Sequence, residues 1–134
     1  MPTKITLLYA VIIGIWLVIL SFRVIILRGS PVAKLFGVSP VEHPEKILQR
    51  AIRGHANLTE YAPLFLILML IAELNHASSV LLYLVGAIFT VGRLMHGILF
   101  CFMRQTNGVM RIGGMVLTLT AIIIALGITI FLLI

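Results

Sequence analysis

The chain has 134 residues, of which 61% are hydrophobic and only 10% charged. A soluble domain carries roughly 25% charged residues, so this composition excludes a soluble enzyme, and it excludes a disordered chain as well. The net charge of +6 sits beside apolar runs as a membrane-orientation signal, and no nucleic-acid function is read from it. The single cysteine, Cys101, excludes an internal disulfide framework and a cysteine-only zinc site.

About 20 mostly apolar residues are needed to cross a bilayer core of about 30 Å. The first predicted span, residues 5–27, meets this easily. It follows Lys4 like a signal segment, but it is long and lacks a small-residue cleavage site, which predicts a retained helix. The fourth, 112–134, contains no charge and is equally clear. The two middle spans are short on apolar residues alone. To cross, the second (53–74) must take in Arg53, Asn57 and Glu60, and the third (77–102) must take in Arg93 and His96. Polar groups immersed this way normally face a bundle interior or a wet cavity. The predicted fold is an all-α integral membrane domain over residues 1–134, a bundle of four transmembrane helices.

Loop charges predict its orientation. Arg28, Lys34, Lys46, Arg50 and Arg53 cluster between the first and second spans, and Arg104 and Arg111 between the third and fourth. The turn between the second and third spans has no Lys or Arg. Both basic loops are therefore expected in the cytoplasm and both termini on the other side. The first loop carries Pro31, Pro40 and Pro44, and Pro44-Glu45 reads as a helix start. No paired small residues of the GxxxG dimer type are apparent.

At about 100° per residue, Gln49, Arg50, Arg53, Asn57 and Glu60 form one stripe of the second helix, and His55 points elsewhere. Arg93 and His96 are three apart on the third helix, with Phe100 below Arg93. Counting about 1.5 Å per residue, Glu60 and Asn57 lie roughly 21 and 25 Å below Leu74, and Arg93 and His96 lie roughly 24 and 28 Å below Ala77. The two clusters share one level, in reach of Arg111. Such a pocket suits a small anionic or zwitterionic ligand, because each arginine offers a charged donor fork. The competing reading is that Arg53, Glu60 and Arg93 neutralise one another between helices. Gln49 and Arg50 read as headgroup neighbours, His43 and His76 as surface residues, and Cys101 as a buried apolar residue. His55 and His96 do not supply three convergent metal ligands, and no metal is expected.

The run Arg53-Gly54-His55-Ala56-Asn57-Leu58-Thr59-Glu60-Tyr61-Ala62-Pro63 resembles the second-helix signature of the MAPEG family, the membrane-associated proteins in eicosanoid and glutathione metabolism. Gly92-Arg93-Leu94-Met95-His96 resembles its third-helix signature, and Arg111 with Gly113 and Gly114 the start of its fourth helix. The resemblance covers essentially the whole chain and is similar to small bacterial members related to microsomal glutathione transferase. It implies a homotrimer in the bacterial inner membrane that binds glutathione as co-substrate on the cytoplasmic side. It further implies a lipophilic electrophile or hydroperoxide reaching the site from the bilayer, among membrane lipids. By the same resemblance Arg28, Arg53, Asn57, Glu60, Tyr61, Arg93 and His96 would bind glutathione, and Arg111 would steady the thiolate. Arg23 is an alternative to Arg28, and Arg104 to Arg111. Phe100 and Met115 stand where several catalytic relatives carry tyrosine, and Ala56 where some carry arginine. The implied activity is a glutathione transferase or peroxidase; the alternative is a non-catalytic member that binds a lipid or small anion.

Overall fold

A computed structural model describes residues 3–35, 37, 45–103, 105 and 107–134. Pro40, His43, Pro44 and Arg104 lie outside the described residues. Among the described residues five helices follow in order: α1 (Lys4–Leu27), the short α2 (Pro31–Leu35), α3 (Glu45–Leu74), α4 (Ser79–Cys101) and α5 (Gly108–Phe131). Four of them, all but α2, are long and apolar enough to cross a membrane, and no strand occurs among the described residues.

Helix boundaries follow local chemistry. Gly29 adopts φ 63°, and the Gly29 and Ser30 amides donate back to the Ile26 and Ile25 carbonyls at 3.0 and 3.4 Å. This left-handed glycine closure ends α1 after Leu27. Helix α3 extends eight residues further toward the N-terminus than the predicted span, to Glu45. Its interior Pro63 removes one backbone donor, which a helix in apolar surroundings tolerates when neighbouring groups adjust. Helix α5 begins four residues before the predicted start, because the Asn107 side chain accepts from the Val109 and Met110 amides at 3.0 and 3.3 Å.

The long helices alternate in direction. α3 and α4 form the packed centre, α1 flanks both, and α5 lies along α4 and touches α3; α1 and α5 do not pack on each other. At the centre the Phe65 and Phe89 rings stack with centroids 3.9 Å apart, both fully buried. Without a strong hydrophobic drive between helices in lipid, close approach depends on small residues. A Cβ on Gly92 would meet the Gly114 carbonyl at 2.9 Å, so two glycines bring the α4 and α5 backbones together.

The ends of the bundle are closed by charge. At one end the Glu73 carboxylate of α3 accepts from the Ile5 and Thr6 amides of α1 at 2.8 and 2.7 Å. At the other, Arg23 Nε donates to the Cys101 carbonyl at 3.0 Å and Arg50 Nη2 to the Leu99 carbonyl at 2.8 Å. An acid at a helix start and arginines at a helix end satisfy groups that no turn of the helix can reach.

Candidate functional site

Near the Arg23 end, α3, α4 and α5 enclose a cavity of about 580 Å³. Arg50, Arg53 and Asn57 face it from α3, and His96 and Phe100 from α4. Arg111, Ile112, Met115 and Val116 face it from α5. Three of the five residues of the predicted stripe, Arg50, Arg53 and Asn57, thus share a cavity with His96 and Arg111. Arg111 sits in the first turn of α5, where a cation opposes the helix dipole. Its position there is better suited to an anion in the cavity than to the stability of the helix. Ile112 and Val116 are 65% and 54% exposed, so the α5 wall of the cavity presents apolar surface outward.

Arg93 lies beside the cavity rather than on its lining. It is 2% exposed; Nε donates to Thr118 Oγ1 at 2.8 Å and Nη1 to the Asn57 carbonyl at 3.2 Å. Its guanidinium also stands 5.1 Å from the Tyr61 ring centroid. Thr118 in turn donates to the Gly114 carbonyl at 2.7 Å. Arg93 therefore ties α3 to α5 through α4 and holds Asn57 in place, while its Nη2 is buried with no hydrogen-bond partner among the described residues. The Asn57 side chain donates to the Arg53 carbonyl at 3.0 Å, which leaves its Oδ1 to accept.

The neutralisation reading receives no support from these contacts. Among the described residues, the Arg53 and Arg111 guanidinium groups and the Glu60 carboxylate have no ion-pair or hydrogen-bond partner. Among the described residues, no acidic side chain lines the cavity.

Other predicted positions fall away from the cavity. Glu60 is exposed, and Tyr61 is half-buried beneath Arg93. Arg28 is the exposed residue closing α1, and Arg23 is committed to the Cys101 carbonyl and lies 5.7 Å from the Phe102 ring centroid. Neither lines the cavity. His55 faces α1, where its Nε2 is 3.0 Å from Ser21 Oγ. Cys101 is buried and donates to the Ala51 carbonyl at 3.5 Å. Among the described residues, no group of three His, Cys, Asp or Glu converges as a metal site would require.

Arg50 is the residue that sequence reasoning undervalued. It was expected among headgroups, yet it both holds the end of α4 and lines the cavity. The signal was its place three residues before Arg53, on the same stripe.

The model of the MAPEG family matches residues 6–131. The chain belongs to the MAPEG family. Its likeness extends to inner membrane protein YecN of Escherichia coli strain K12, 37% identical over 89 residues, which is 66% of this chain and 64% of that protein. The same protein from Escherichia coli O6:H1 matches equally. The matched region thus spans just under two thirds of the length of these curated relatives. As a MAPEG protein with four helices suited to crossing a membrane, the chain places its polar cavity at one end of those helices.

Proposed function

We propose that this MAPEG protein binds glutathione in the cavity between α3, α4 and α5 and activates its thiol toward a lipophilic electrophile or hydroperoxide. The observation that carries the reading is the convergence of Arg50, Arg53 and Arg111 on one cavity, with no acidic side chain among the described residues that line it. Glutathione brings two carboxylates and, when activated, a thiolate, and guanidinium groups favour each of these anions. The thiolate is the nucleophile, and a neighbouring cation raises its share at neutral pH. Arg111 performs this role; Arg53 and Asn57 hold the tripeptide, with Arg93 and Tyr61 bracing Asn57 from behind. The exposed Ile112 and Val116 give a lipophile its approach from the bilayer.

In this reading the protein is a homotrimer in the inner membrane, with both termini outside and the cavity on the cytoplasmic side. Glu60, Arg28 and the open side of the cavity then meet a neighbouring subunit. The charge of the loops supports the orientation, and the family resemblance supports the trimer.

A second reading, a binding scaffold without chemistry, is favoured by Phe100 and Met115, which line the cavity without a hydroxyl. An ultraviolet difference titration with glutathione separates the two. Saturable thiolate absorbance near neutral pH that is lost in Arg111→Ala supports the enzyme. Calorimetric binding without that absorbance selects the scaffold, and no binding removes glutathione as the ligand.

A further inference from the structure

Beside the large cavity, and sharing Arg50 and Phe100 with it, lies a smaller pocket of about 120 Å³ between α1, α3 and the end of α4. Arg23 lines it from α1, Ile47 and Arg50 from α3, and Phe102 stands at its rim. Its volume is well below the roughly 300–1,000 Å³ of pockets that take a drug-sized ligand, so it suits a single small ionic group. Both arginines also hold the end of α4, Arg23 through the Cys101 carbonyl and Arg50 through that of Leu99. That duty does not use up their charge. A helix end carries about half an elementary negative charge, so two guanidinium groups leave about one and a half positive charges over. Among the described residues no acidic side chain lines the pocket, and Glu45, the acid closest to Arg50 in the chain, accepts from Gln49 at 3.0 Å. Beyond the Nε–H given to Cys101, the Arg23 guanidinium makes no hydrogen bond among the described residues.

The place of the pocket in the bundle selects the anion. Counting about 1.5 Å per residue from Lys4, Arg23 lies about 28 Å along α1, close to the thickness of a hydrocarbon core. The pocket therefore sits where lipid headgroups begin. Phe102 at its rim is 48% exposed, and one turn nearer the bilayer centre Ile19 of α1 and Ile98 of α4 are 43% and 38% exposed. We propose that this pocket binds the phosphate of an anionic phospholipid, held between Arg23 and Arg50, with an acyl chain over Ile19 and Ile98. Guanidinium forks match phosphate oxygens, and basic pockets between membrane-spanning helices hold such headgroups. A zwitterionic lipid brings its own ammonium group and neutralises the two arginines less well. The bound phosphate clamps α1 to α3 at the end of α4, whatever the larger cavity binds.

Native mass spectrometry of the detergent-solubilised protein, given equal amounts of dioleoyl phosphatidylglycerol and dioleoyl phosphatidylcholine, tests the proposal. Wild type is expected to retain one phosphatidylglycerol at least about tenfold more tightly than phosphatidylcholine. Arg23→Gln should lose that preference. Arg53→Gln removes the same charge from the larger cavity only, and should keep it. Ile47→Trp fills the pocket with both arginines in place and should also lose it, which decides the matter if Arg23→Gln does not fold. Equal retention of the two lipids by wild type overturns the proposal, and so does a preference that falls equally in Arg23→Gln and Arg53→Gln, the mark of overall charge alone. Displacement of the lipid by millimolar inorganic phosphate overturns the lipid as occupant and assigns the pocket to free phosphate.

Discussion

The Glu73 carboxylate caps the start of α1 from another helix, holding the Ile5 amide at 2.8 Å and the neighbouring Thr6 amide at 2.7 Å. Thr3, the residue in the ordinary capping position, makes no side-chain bond to the helix. The first turn of α1 therefore depends on a residue 68 positions away. Glu73→Ala strips two backbone donors of their partner in a site only 8% exposed. The expected loss is about 2–4 kcal/mol of stability, read by unfolding in mixed micelles. Glu73→Gln keeps one acceptor oxygen and should lose less. An Ala variant as stable as wild type would show that the cap is dispensable.

Close packing of α4 on α5 makes a second prediction. Gly92 faces the Gly114 carbonyl at 2.9 Å and the Thr118 amide at 3.0 Å from a hypothetical Cβ, and these are backbone atoms that cannot swing aside. Gly92→Ala should destabilise by about 1–3 kcal/mol. Because Thr118 holds Arg93 at 2.8 Å, the same change should weaken glutathione binding. Gly127→Ala, with nothing within 4 Å of its Cβ, is the control and should be close to neutral in both assays.

Much of this arrangement was legible in the chain because bilayer length and helical period are strict constraints. The short apolar run after Tyr61 forced Arg53, Asn57 and Glu60 into one helix, and that period gave the stripe on which Arg53 and Asn57 now face the cavity. What could not be read was which polar groups serve the fold. Glu73 and Arg23 both lie in apolar runs and are paired with backbone groups distant in sequence, which no local pattern announces. The Gly92–Gly114 approach was hidden for the same reason: it is a pair between helices, without the spacing within one helix that marks a GxxxG face. The Asn107 cap went unread as well, because it lies outside the charge-free run that set the predicted start at residue 112.

The arginines divide by task, and mutation should separate them. Arg23 is bound to the end of α4 and does not line the cavity, whereas Arg53 lines the cavity and its guanidinium has no partner among the described residues. Arg23→Leu should lower stability by about 1–3 kcal/mol, as expected for loss of a charged hydrogen bond, with glutathione affinity within about twofold of wild type. Arg53→Ala should leave stability nearly unchanged and weaken glutathione by tenfold or more, the loss of roughly 1.4 kcal/mol or more of binding. Calorimetry with glutathione beside thermal unfolding of each variant reads both. Weakened binding in Arg23→Leu alone would move that residue into the ligand set.

Phe100 offers the sharpest gain-of-function test. Its ring lines the cavity and lies against His96, where several catalytic relatives are expected to carry tyrosine. Phe100→Tyr adds one hydroxyl to a half-buried ring. If that hydroxyl reaches the bound sulfur, it donates to the thiolate and favours the charged form. One hydrogen bond to a charged group is worth about 1.5–3 kcal/mol, so thiolate content or turnover should rise by about tenfold or more. The ultraviolet thiolate signal and 1-chloro-2,4-dinitrobenzene turnover are the readouts. A rise in both marks a thiol-activating site that runs below its capacity for want of a donor. Unchanged thiolate with intact glutathione affinity would mean that the sulfur lies away from the α4 wall, leaving Arg111 on α5 as the group that meets it.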